Sequence, residues 1–138
     1  MTPDLEPLLD AIDHVREHDP RFRREAYLFV VAALGEAVRN LPAERSADPA
    51  LRHLSGREVL TATVALARSE FGPLARVVFG EWGVTEGRHV GEIVFQLVSA
   101  GQLSARPEDR LDDFLGGPRL LAALAEPAPA AARGSHQD

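Results

Sequence analysis

His53, Ser55 and Glu58 stand within six residues of one another. A hydroxyl, an imidazole and a carboxylate are the parts of a nucleophilic triad. A triad also needs its serine on a strained turn beside an oxyanion site. Ser55-Gly56-Arg57-Glu58 meets a simpler requirement. It places Ser at the N-cap and Glu three residues later, the reciprocal capping box of a helix start. That role accounts for both residues and is worth about 1 kcal/mol. His53 then covers the same helix end. If the chain carries a proton-transfer site, His53, Glu58 and Glu92 are its candidates, because imidazole and carboxylate are the usual groups for that work. Nothing in the sequence supplies the remaining parts of an enzyme, so a His/carboxylate enzyme is the weakest of three readings.

His14 and His18 lie four apart on an expected helix, with Asp10 one turn earlier. That spacing can hold Zn²⁺. Val15 stands where the HExxH metalloprotease pattern needs Glu. No further ligand is marked, so a solvated polar face is the simpler reading, and no metal or cofactor is expected. Arg21, Arg23 and Arg24 follow Asp19-Pro20, which reads as an N-cap and first helical residue. Cations oppose the dipole at that end. They either hold an anionic partner or pair with Asp10, Asp13 and Glu17 of the preceding helix, and pairing is the simpler choice.

A second constellation concerns shape. Helix 74–82, the turn Trp82-Gly83-Val84-Thr85 and helix 86–100 have helix-turn-helix lengths. The segment 101–110 resembles a wing, with Arg106 and Arg110 as its cations. The would-be recognition helix, however, mixes Arg88 and His89 with Glu86 and Glu92, and carboxylates are repelled by phosphates. Trp82, the only tryptophan, is either a core plug or an interface hot spot.

Composition narrows the classes. The chain has 138 residues, no cysteine and a formal net charge of −6. That length makes one ordinary domain. Disulfides, thiolate metal sites and cysteine nucleophiles are excluded. The lack of cysteine suits a reducing cytoplasm. The acidic balance disfavours a uniform grip on nucleic acid. No apolar run is long enough for a membrane helix, and Met1 to Glu6 lacks the order of a signal peptide. Phosphate-loop, dinucleotide and EF-hand motifs are absent.

The elements that must position these residues are helices. Leu5, Leu8, Leu9, Ile12 and Val15 share one face, as do Tyr27, Val30, Val31, Leu34 and Val38. The helix opened by Ser55 carries Leu60, Val64, Ala67 and Phe71 until Gly72-Pro73. Gly83 reads as a C-cap glycine, and Val90, Ile93, Val94, Leu97 and Val98 form the tightest stripe. Leu120, Leu121 and Leu124 suggest a last short helix. The segment 101–114 reads as a hairpin or a loop. Residues 1–125 form the expected helical domain, and 126–138 an Ala/Pro-rich disordered tail.

Six segments carry a resemblance to a known family: Ala26 to Val30, His53 to Glu58, Phe71 to Arg76, Glu81 to Val84, Gly91 to Val98, and Asp112-Asp113-Phe114. From Asp19 to Phe114 the chain resembles a small group of uncharacterised bacterial proteins, the Minf family. The resemblance implies a compact domain and brings no activity. After Phe114 this chain has Gly116-Gly117-Pro118 where the family pattern continues with aromatic residues.

The expectation is therefore a mainly α bundle of five to six helices, with a helix-turn-helix or winged-helix-like C-terminal half and a short β-hairpin. It acts as a non-enzymatic, cytoplasmic module that contacts a protein through the face from Trp82 to Val98. The alternative is a winged-helix-like nucleic-acid binder. The candidate contact residues are Trp82, His53, Glu58, Arg88, His89, Glu92, Arg106 and Arg110. Oligomeric state is not readable from the sequence.

Overall fold

Helical periodicity runs through nearly the whole chain, and the fold follows it. The computed structural model describes residues 4–47, 54–103 and 119–125, and among these no strand occurs. In order the helices are α1 (Leu5–His18), α2 (Arg24–Arg39), the short α3 (Ala43–Ala47), α4 (Gly56–Phe71), α5 (Ala75–Trp82), α6 (Gly87–Ser99) and the short α7 (Leu120–Ala125). A 3₁₀ turn, Gly72–Leu74, joins α4 to α5. Five of these helices have eight residues or more, and α3 and α7 add the two short ones.

α2 and α4 pack most extensively on each other and form the centre. α6 packs on α2, α4 and α1, whereas α5 packs on α4, α2 and α7. The predicted stripes supply the core: Ile12 from α1, Tyr27 and Val30 from α2, Leu60 from α4, and Val90, Ile93 and Leu97 from α6 are all buried. Leu120 and Leu124 of α7 close it. The one buried polar side chain among the described residues, Thr63, donates its hydroxyl to the Val59 carbonyl 2.8 Å away. That bond satisfies a group that would otherwise be costly to bury.

The capping box at Ser55 is present in both directions. Glu58 N–H donates to Ser55 Oγ at 3.1 Å, and Ser55 N–H donates to Glu58 Oε1 at 2.9 Å. Gly83 ends α5 at φ +84°, the left-handed conformation expected of a C-cap glycine.

The start of α2 differs from the sequence expectation. Asp19 is the C-cap of α1, and the helix begins at Arg24 after an extended Arg23. The cause is Phe22, which is only 1 % exposed. Burying its ring requires a loop over residues 19–23, and the hydrophobic gain outweighs the local start signal of Asp-Pro. Of the three arginines, only Arg24 lies in the helix. It pairs with Asp13 of α1 at 2.7 Å, as the charge pattern suggests.

The loop is clamped to the α5–α6 turn. Arg23 N–H donates to the Trp82 carbonyl at 3.0 Å, and a Cβ placed on Gly83 would collide with the Arg21 carbonyl oxygen. The segment 104–118, which holds Arg106, Arg110 and most of the expected hairpin, lies outside the described residues. So do His53 and the tail 126–138.

Candidate functional site

The last two turns of α1, the 19–23 loop and α6 enclose an open groove of about 510 Å³. α1 contributes His14, Val15 and His18, and the loop contributes Asp19 and Arg21. α6 contributes Glu92, Phe95, Gln96, Ser99 and Ala100. The groove exists because α6 turns its apolar stripe to the core and leaves a polar row facing α1.

That polar row belongs to one continuous network. The Tyr27 hydroxyl donates to Gln96 Oε1 at 2.6 Å, and Gln96 Nε2 donates to Asp19 Oδ2 at 2.9 Å. Arg21 donates to both Asp19 carboxylate oxygens at 2.8 Å. Its Nη2 also lies 2.7 Å from Glu92 Oε1. Arg88 Nη1 meets the other Glu92 oxygen at 3.0 Å, and Arg88 Nε meets Glu86 at 2.9 Å. The Arg21–Glu92 contact is ionic by distance, yet no donor among the described residues is aligned for a hydrogen bond to buried Glu92 Oε1.

The electrostatics follow from these contacts. Hydrogen bonds from Arg21, ahead of the opposing effect of burial, hold the Asp19 carboxyl down at about 2. Burial pushes the Tyr27 phenol up to about 12, so it remains a donor at neutral pH. Every cation in the row faces a carboxylate. Such a network positions α1 against α6.

The remaining sequence candidates have mostly local roles. Glu58 is held by Ser55 and by Arg45, whose Nη1 is 2.6 Å away. The hydrogen bond from Arg45 lowers its pKa. It sits at the start of α4, whereas Glu92 is bound by Arg21 and Arg88 at the groove. His89 Nδ1 accepts the backbone N–H groups of Thr85 and Glu86 at 3.1 and 3.2 Å, closing the start of α6. Burial, and then Arg88, lowers its pKa and keeps the ring neutral. Trp82 is half-buried among Phe29, Phe71 and Phe79, with ring centroids 5.3–5.8 Å away.

The structure brings Arg88 and Glu92 together and joins to them Arg21, expected to pair with α1, Asp19, expected only as an N-cap, and Gln96, which the sequence places only on the α6 face. The Tyr27–Gln96 and Asp19–Gln96 bonds span 69 and 77 residues, so no local pattern announces them. Glu17, next to His18, reads from the sequence as an ion-pair partner and not as a companion of the two histidines. Its signal is readable: His14-Val15-Arg16-Glu17-His18 has the order His-x-x-Glu-His. Compared with protein-family models, with curated proteins and with solved structures, the chain matches none.

Proposed function

We propose that this protein is a non-enzymatic module that docks a partner protein through the exposed strip where the 3₁₀ turn enters α5, with Leu74 and Val77 as apolar anchors. One observation carries the reading. Leu74 is 62 % exposed and Val77 is 60 % exposed, one helical turn apart. Exposed Pro73 extends the strip. Scattered single apolar residues need no explanation, but neighbours on one face form a surface that gains from being covered. Covering each anchor fully is worth about 1–2 kcal/mol.

The strip fits an amphipathic helix of the partner. Exposed Arg76 and Glu81 provide one charge of each sign beside the apolar row, and neither has an ion-pair partner among the described residues. The docking face thus moves from the expected Trp82–Val98 to the start of α5. Val90, Ile93 and Leu97 are buried in the core and cannot serve a partner.

The winged-helix-like, nucleic-acid alternative draws little support from α6. Arg88 is engaged by Glu86 and Glu92, and the polar row faces α1. Among the described residues no helix is long and apolar enough to cross a membrane.

The test is a comparative pull-down from host lysate using the parent chain and a Leu74→Asp, Val77→Asp variant, each with and without nuclease. Circular dichroism confirms that both remain helical. A stoichiometric protein captured by the parent, retained after nuclease and lost with the variant is the expected result. Equal capture by parent and variant refutes this face. Loss of all bound material on nuclease treatment refutes the protein-docking reading and promotes the nucleic-acid one.

A further inference from the structure

We propose that His14, Glu17 and His18 form a binding site for a divalent transition-metal ion of the zinc class, on the last turns of α1 at the rim of the groove. One ligand atom from each of the three residues lies within 4.8 Å of the other two. The imidazole centroids of His14 and His18 are 5.1 Å apart, and His14 Nδ1 is 3.7 Å from Glu17 Oε1. Tetrahedral Zn²⁺ with bonds near 2.0–2.1 Å needs ligand atoms about 3.4 Å apart. The three groups close that gap by small rotations. All three are exposed, so no packing resists the movement.

A second feature suits a ligand. His18 Nδ1 lies 3.2 Å from the His14 carbonyl oxygen. As donor in that bond Nδ1 carries the ring proton of the neutral tautomer, which leaves the Nε2 lone pair as the ligating one. A ligating histidine is commonly oriented in this way, with its second nitrogen bonded to a backbone carbonyl. Of the neighbouring cations, Arg24 is paired with Asp13, and Arg16 is held through Nε at the Phe22 carbonyl, 2.8 Å away. Two imidazoles and a carboxylate favour Zn²⁺, Ni²⁺ or Cu²⁺ over the hard cations. The net charge of −6 favours a cation of any kind.

Glu17, not Asp10, completes the set, because the structure groups it with both histidines. His-x-x-Glu-His is also a metallopeptidase spacing. Here all three side chains are exposed, which denies the ion the dry, shaped cavity that hydrolysis requires. Binding alone is therefore assigned. Three protein ligands leave coordination positions open to water or to a donor group of a docked molecule.

The test is calorimetric titration of the chelator-treated full chain with Zn²⁺ in a non-coordinating buffer, followed by visible absorption with Co²⁺ as the probe. The expected result is one equivalent bound, with affinity lowered about tenfold or more in His14→Ala and in His18→Ala. Glu17→Gln shows a smaller drop and changed Co²⁺ bands. His136→Ala, a histidine far along the chain, binds as the parent does. Circular dichroism confirms an unchanged fold in each variant. The proposal is overturned if the parent binds no Zn²⁺, or if the double variant His14→Ala, His18→Ala binds as tightly as the parent.

Discussion

Replacing Gly83 with alanine tests the clamp between the 19–23 loop and the α5–α6 turn. Two effects add. The left-handed backbone at φ +84° disfavours any Cβ by roughly 1–2 kcal/mol. The new methyl also meets the Arg21 carbonyl oxygen, a backbone atom that cannot swing aside. Relieving that collision shifts the loop and weakens the Arg23–Trp82 hydrogen bond, at about 1–3 kcal/mol more. Gly101 provides the control. It has φ +79°, yet among the described residues nothing lies within 4 Å of an added Cβ. Gly101→Ala therefore carries the backbone effect alone. Urea unfolding followed by circular dichroism measures both. With a slope of about 1–3 kcal/mol per M, Gly83→Ala should unfold at a midpoint about 1 M below that of Gly101→Ala. Equal midpoints for the two variants would show that the loop yields freely, and the clamp would be refuted.

Two further outcomes follow from the network. Tyr27→Phe removes the donor to Gln96 Oε1 and leaves a part-buried acceptor unpaired, so stability should fall by about 1–2 kcal/mol in the same urea assay; a loss under about 0.5 kcal/mol, the scale of a surface change, contradicts the network's structural role. The Asp19 carboxyl is held down at about 2, from an ordinary value of 3.8. Its contribution is thus fully present above pH 3.8 and is lost as pH falls toward 2. Parent and Asp19→Asn should differ in stability at neutral pH and converge through that window; a constant gap down to pH 2 would remove Asp19 from the ion-pair account.

What could be read from the sequence was what local physics decides. The Ser55–Glu58 capping box, the Gly83 C-cap and the stripe of Val90, Ile93 and Leu97 need only neighbours within one or two turns, and each stands where its spacing placed it. Asp19-Pro20 misled because a helix-start signal of about 1 kcal/mol competed with burial of Phe22. The candidate site was harder still. Arg21 and Glu92 lie on separate elements, and their pairing depends on how α1 and α6 pack. Arg24 and Asp13 were foreseeable as partners only because charge blocks of opposite sign lie on adjacent helices.

Trp82 is the chain's single tryptophan and sits among three phenylalanine rings, Phe29, Phe71 and Phe79. The protein therefore contains its own optical reporter. Ultraviolet emission from this one indole comes from a single, known environment, free of overlap from any other indole. Its colour reports the integrity of the aromatic cluster during unfolding. Its quenching by added iodide, followed through the urea transition, tells when that ring cluster opens to solvent, with no dye or label attached.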